Sequence, residues 1–281
     1  MDTIKQIIKK FSLNTKKSFG QNYILDQNIT DKILKLINVK NKVILEIGPG
    51  PGCLTRSIIK KGAKKIIAVE KDKKSIQALR YQKNIFNNKL YLIEGDFLKK
   101  QIFKKVKKEI IKSTGKIYVI SNLPYNIAIQ ILSKLLNQRK MFNKLILMFQ
   151  KEQANRIIAK KKTKEYGRIS IIAQWLCHIK KEMNLSPNYF YPKPKINSTI
   201  LSFEFKKKIE FVKNENFLLE IVKKSFNQRR KTIKKSLKLN NFSAEKILKD
   251  TKINMSSRPE ELDYFNFIKL SNTMINFKIK N

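Results

Sequence analysis

Among 281 residues the chain has one histidine, His178, and two cysteines, Cys53 and Cys177. With no CxxC pair, the spacing supports neither a disulfide framework nor a structural zinc site, and a reducing compartment fits. A single histidine excludes mechanisms that need two. Glycine (8) and proline (7) are scarce, which argues against collagen-like, linker-rich or low-complexity architecture. No apolar run approaches the roughly 18 residues of a membrane span. The amphipathic Ile/Lys stretch from Met1 to Phe11 lacks the apolar centre of about 7 to 15 residues that a secretory signal carries. Acidic residues are few as well: 21 Asp and Glu stand against 62 Lys and Arg, a formal charge of +41.

What is present describes a soluble globular chain. Hydrophobic residues make up 42% and charged residues 30%, and 281 residues are enough for one large domain, or for one domain plus a small appendage. The positive field favours a polyanionic partner, a nucleic acid ahead of an acidic membrane surface. Lys, Ile and Asn are enriched throughout, so part of the excess is compositional bias.

Apolar runs and helical patterns alternate. Lys42 to Gly48, Ile66 to Glu70, Leu90 to Glu94, Ile117 to Ile120 and Leu145 to Phe149 read as buried parallel strands. Asn28 to Ile37, Leu54 to Lys61, Lys74 to Lys83 and Ala128 to Leu136 read as helices between them. Such alternation predicts a parallel sheet covered on both faces, with ligands beyond the C-terminal strand ends. Ile169 to Ile172 and Ile196 to Phe205 read as later strands. Phe217 to Phe226, Ile233 to Leu239 and Ala244 to Leu248 read as short helices of a small C-terminal domain. The expected division is 1–206 and 207–281.

The motifs fall at the strand ends. Glu46-Ile-Gly48-Pro-Gly50-Pro-Gly52 follows a strand and precedes a helix, so its glycines permit a tight turn and close approach to a ligand. Its spacing, GxGxG, is like the loop of S-adenosylmethionine (SAM) methyltransferases, whose donor has no phosphate. Glu70 ends the second strand, 22 residues after Gly48, placed to accept from both ribose hydroxyls. Asp96 ends the third; in SAM enzymes, which this loop resembles, an acid here accepts from the donor's adenine amine, and it can also cap a helix. Asn122-Leu123-Pro124-Tyr125 ends the fourth. An exocyclic adenine amine is a poor nucleophile because its lone pair is delocalised into the ring. The Asn122 amide oxygen and the Leu123 or Pro124 carbonyl can accept its two N–H bonds, and Tyr125 can stack on an extruded base.

With further segments, the chain resembles the small-subunit type (KsgA type) of ribosomal RNA adenine N6,N6-dimethyltransferases, from about Lys17 to Leu237. These segments are Phe19-Gly-Gln-Asn-Tyr-Ile24, Gln150-Lys-Glu152, Tyr166-Gly-Arg168, Pro192 to Ser198 and Phe226 to Thr232. The resemblance implies a Rossmann-like α/β methyltransferase domain, a small all-helical RNA-binding domain, SAM as methyl donor and no metal. It implies that Gln21 to Ile24 close over the donor, with Asn22 and Ile24 in contact, and that Gly48, Gly50, Glu70, Asp96 and Asn122 complete its site. Phe190 falls where a second aromatic packs near the target base. Tyr23, Ile24 and Ser121 depart mildly from the usual Phe, Leu and Gly. Arg229, Arg230 and Lys231 are expected on a C-terminal helix, touching phosphate.

The expected reaction is dimethylation of two adjacent adenosines near the 3′ end of small-subunit rRNA. The expected enzyme is a cytoplasmic monomer acting on a 30S-like particle, without membrane contact, in ribosome biogenesis. The competing readings are an adenine methyltransferase acting on large-subunit rRNA or DNA, and a non-catalytic RNA-binding assembly factor.

Overall fold

The computed structural model describes residues 2–13, 22–113, 115–237 and 244–279. Met1, the stretch from Lys17 to Gln21 and the helix end expected at Leu239 lie outside the described residues. Two compact units emerge: Met1–Ala154 with Lys180–Phe205, and Asn155–Ile179 with Lys206–Asn281. Residues 155–179 join the second unit, unlike a single cut after 206. The reason is the helix Arg168–Leu176, which packs against the helices Glu215–Asn227 and Tyr264–Ile279.

The strands, in chain order, are β1 (Tyr23–Ile24), β2 (Val43–Ile47), β3 (Lys65–Glu70), β4 (Leu90–Glu94), β5 (Ile117–Asn122), β6 (Phe142–Gln150), β7 (Cys177–Leu185), β8 (Phe190–Tyr191) and β9 (Ser198–Phe205). Seven form one sheet in the order β4-β3-β2-β5-β6-β9-β7. β2 pairs in parallel with β3 and β5, β3 with β4 and β5 with β6, while β9 runs antiparallel to β6. The Ile- and Val-rich runs suit strands covered on both faces. Ile44, Ile66, Ala68, Ile120, Ile146, Met148 and Ile200 fall at alternate positions and share one core with the helices Gln27–Leu34 and Cys53–Lys60. From β2 the chain steps outward through β3 to β4, then returns to the other side for β5 and β6. That reversal leaves a crevice at the C-terminal ends of β2 and β5.

Two sequence expectations change. Ile169 to Ile172 are not a strand but part of the helix Arg168–Leu176, with Ser170, Ile171, Ala173, Trp175 and Leu176 buried. A short apolar run does not by itself separate a strand from a helix. Here the Gly167 N–H donates to Ser170 Oγ at 3.0 Å, which favours the helical start. Arg229, Arg230 and Lys231 do not sit on a helix. The helix Glu215–Asn227 ends just before them, and the Lys231 N–H closes a turn on the Gln228 carbonyl at 2.9 Å.

Candidate active site

The cleft at this crevice is lined by the ends of β2, β3, β4 and β5 and by Asn22 to Ile24. Its floor is the glycine turn. Gly50 has φ +57°, and a Cβ there would lie 2.5 Å from Tyr23 Cε1. Only glycine therefore allows the turn and the Tyr23 ring to meet. The Gly50 N–H donates to Glu70 Oε2 at 3.0 Å. Glu70 Oε1 accepts from the N–H groups of Lys71 (2.7 Å) and Asp72 (2.8 Å). Glu70 is 4% exposed, and burial raises its carboxyl above the usual range against the pull of those three amides. Asp72 in turn caps the helix Lys73–Tyr81 by accepting from the Ser75 N–H at 2.9 Å.

Glu46, 2% exposed, accepts from Thr55 Oγ1 at 2.7 Å. Burial pushes its carboxyl up to about 8, Thr55 works against this, and the Glu70 charge adds to it. Asp96 Oδ1 accepts from the Leu98 N–H at 2.9 Å, and Oδ2 faces Lys71 Nζ at 3.2 Å. Burial acts to raise its carboxyl, but the Leu98 amide and Lys71 outweigh it and the group sits below the ordinary value. No helix begins at Phe97; the next starts at Lys100, so Asp96 makes a local turn rather than a helix cap.

Asn122 closes β5. Its Nδ2 donates to the Asn22 carbonyl at 2.7 Å, which fixes the amide's orientation, and its Oδ1 is buried with no hydrogen-bond partner. A buried acceptor left over in this way calls for a ligand donor. In the turn that follows, the Pro124 carbonyl accepts from the Ile127 N–H at 3.1 Å.

Asn22, Ile24, Gly48, Gly50, Glu70, Asp96, Asn122, Leu123 and Pro124 all line the cleft. Tyr125 and Phe190 do not. Tyr125 is 5% exposed, its hydroxyl hydrogen-bonded with Ser198, and burial raises its phenol above the usual range. Phe190, also 5% exposed, packs in the core with Ile24, Leu54 and Met148. Arg230 and Lys231 are exposed, whereas Arg229 pairs with Glu260 and donates to the Thr163 carbonyl at 3.1 Å.

One supporting residue carried no sequence signal. Gln153 Nε2 donates to the Tyr125 carbonyl at 2.7 Å, so Tyr125 is held at both ends. Ser121, where the resemblance has Gly, donates to the Ile47 carbonyl at 2.5 Å and ties β5 to β2 beside the turn.

Charge narrows the ligand further. In a chain of formal charge +41, four acidic side chains (Glu46, Glu70, Asp72 and Asp96) line this cleft, Glu46 held protonated by its burial and Lys71 paired with Asp96. Such a wall repels a pyrophosphate and suits a sulfonium and an ammonium. With an acid ending β3, a glycine turn after β2 and an unbonded amide oxygen ending β5, the residues fit SAM. Fold and cleft together define a SAM-dependent methyltransferase of the Rossmann-like α/β class.

Comparison with known proteins agrees. The sequence pattern of the ribosomal RNA adenine dimethylase family matches residues 12–276. The chain belongs to that family and is an rRNA adenine dimethyltransferase. It is 39% identical over 268 residues to the ribosomal RNA small subunit methyltransferase A of Wolbachia pipientis wMel, covering 95% of this chain and 91% of the relative. It is likewise 39% identical over 255 residues to the protein of that name from Mycoplasma mobile, covering 90% and 95%. Among solved structures it is similar to a dimethyladenosine transferase from Plasmodium falciparum, with TM-score 0.74, 26% identity, and coverage of 91% of this chain and 97% of that one. The 23S rRNA methyltransferase ErmE shares the fold, with TM-score 0.63 at 18% identity, over 90% of this chain and 100% of that one.

Proposed function

We propose that this chain methylates N6 of two adjacent adenosines near the 3′ end of small-subunit rRNA, twice each, as a cytoplasmic monomer acting on a 30S-like particle. The names of the relatives support the small-subunit substrate. Among the described residues no helix is long and apolar enough to cross a membrane.

The observation that carries the chemistry is Asn122, which lines the cleft and whose buried Oδ1 has no hydrogen-bond partner. When bound, SAM supplies an electrophilic methyl whose thioether leaving group is neutral. The protein's part is orientation and the exclusion of water. Asn122 Oδ1 accepts one N–H of the adenine amine. The Leu123 carbonyl is favoured for the other, because the Pro124 carbonyl already serves Ile127. These two bonds draw the nitrogen toward tetrahedral geometry and aim its lone pair. Glu70, held by three amides, keeps acceptor capacity on Oε2 for the donor's ribose hydroxyls. Asp96 accepts from the donor's adenine amine, and Asn22, Ile24, Gly48 and Gly50 wall the rest of the donor site. Stacking on Tyr125 requires uncovering a ring that is now buried; its bond to Ser198 then sets the ring plane. Phe190 backs the same region from the core, and Arg230 and Lys231 are exposed to meet phosphate.

The test is incubation with labelled SAM and either 30S particles, 50S particles or duplex DNA, followed by mass spectrometry of the modified nucleotides. Label confined to two neighbouring N6,N6-dimethyladenosines of 30S rRNA is expected. Label in 50S particles or DNA instead would overturn the assignment.

A further inference from the structure

Lys134 is a partly buried cation that hydrogen-bonds to two carbonyls and sits over aromatic rings. It lies on the helix Ala128–Asn137, which follows directly from the Asn122–Tyr125 turn. Its Nζ donates to the Phe97 carbonyl at 3.0 Å and to the Leu98 carbonyl at 2.9 Å. It also sits over the Phe103 ring, 4.6 Å from the centroid, and 5.5 Å from that of Phe97. Phe97 and Asp96 line the cleft; Lys134 does not. Burial lowers the ammonium's pKa, and the nearby Asp96 charge opposes that.

A lysine in such a setting is costly unless its N–H groups have work. Here that work is to grip two successive carbonyls immediately after Asp96. Asp96 Oδ1 is itself tied to the Leu98 N–H, so a grip on Leu98 bears directly on where the carboxylate points. The hold also joins the loop after β4 to the helix that follows β5.

We infer that Lys134 is a positioning residue that sets Asp96 for the adenine end of the methyl donor, and so determines selectivity for the donor's base. This rests on the reading of the cleft given under Proposed function. Lys134 touches neither reactant. It acts through the 96–98 turn, and its loss should show in recognition of the 6-amino group rather than in methyl transfer.

The experiment measures binding of S-adenosylhomocysteine and of its hypoxanthine counterpart, S-inosylhomocysteine, by calorimetry on the full chain. Lys134→Met is expected to weaken the adenine compound about tenfold, as the loss of charge-assisted hydrogen bonds implies, and the hypoxanthine compound much less. Turnover at saturating SAM should stay within about threefold of wild type, and Lys134→Arg, which can still reach both carbonyls, should restore the preference. Should Lys134→Met not fold, Lys134→Gln, too short for both carbonyls, is read in the same way. Equal weakening of both compounds, or none, overturns the inference, as does a fall in turnover with affinity unchanged. Asp96→Ala separates this failure from that of the cleft assignment. If Asp96→Ala leaves the adenine preference intact, the placing of adenine at Asp96 fails. If it abolishes the preference while Lys134→Met does not, only the role of Lys134 fails.

Discussion

The Gly50 N–H donates to Glu70 Oε2 at 3.0 Å, so the turn that ends β2 and the acid that ends β3 hold one another. Truncating Glu70 removes the acceptor for three amides at once. Of these the Gly50 N–H is buried, and a buried donor left unpaired costs about 1–3 kcal/mol. Glu70→Ala is therefore expected to raise the SAM dissociation constant at least about tenfold and to lower the melting temperature. Calorimetry and a thermal melt check both. An unchanged dissociation constant would show that Glu70 does not hold the ribose.

Asn122→Ala should separate chemistry from donor binding. Loss of a preorganised group at the reacting atoms costs about 10²–10³ in rate, while the donor keeps Glu70, Asp96 and the glycine turn. Methyl transfer to 30S particles should fall by about that factor or more with SAM affinity nearly intact. Transfer retained at wild-type rate removes Asn122 from the mechanism.

Gly50→Ala meets two obstacles. A left-handed φ is unfavourable for an L-residue by roughly 1–2 kcal/mol, and the new methyl would press on Tyr23, where crowding adds about 1–3 kcal/mol. Loss of both stability and SAM binding is expected. In a Tyr23→Ala background, itself destabilised by loss of a buried ring, the cost of Gly50→Ala should shrink to its backbone share. No cost of Gly50→Ala in that background would mean that φ at residue 50 carries no strain.

Glu46 makes stability depend on pH with a definite sign. Its carboxyl titrates near 8 in the folded chain and near 4.5 otherwise. Between those values the folded state keeps a proton that the unfolded state has released. The group's contribution therefore declines as pH rises, by about 1.4 kcal/mol per unit at most. Glu46→Gln has no proton to lose. Compared by denaturant unfolding, the variant should gain on wild type as pH goes from about 5 to about 8. A difference independent of pH would contradict a protonated Glu46.

The basic cluster divides. Arg230 and Lys231 are exposed, and replacing each should weaken RNA binding and flatten its dependence on salt by about one unit of slope. Arg229 is bound to Glu260 and the Thr163 carbonyl, so Arg229→Ala should lower the melting temperature and leave the salt slope nearly unchanged. Filter binding over a salt series checks both. A slope that responds to Arg229 alone would reverse the assignment.

Much of this was readable from the chain because the parallel sheet writes itself into local patterns. Apolar runs mark β2 to β6, and the Gly turn, Glu70, Asp96 and Asn122 each follow a run directly. What escaped depends on distant partners. Ser198 meets Tyr125 from 73 residues away, and Gln153 reaches the same residue from 28. No periodicity announces such pairs. Ile169 to Ile172 hold three isoleucines around Ser170, a run too short to tell one period from the other, and tertiary packing chooses the helix. The place of Arg229 to Lys231 turned on where one helix stops, the least readable property of any element.

The chain leaves the first unit after Ala154 and returns at Lys180, and Ser198 stands at the start of β9 on that return. During synthesis every cleft-lining residue has been made once Ile127 is added. The hydroxyl that restrains Tyr125 is added some seventy residues later. A growing chain thus holds every cleft-lining residue well before it holds Ser198, and before β8, the strand that pairs with β1. Premature termination in that interval would leave the Tyr125 hydroxyl without Ser198.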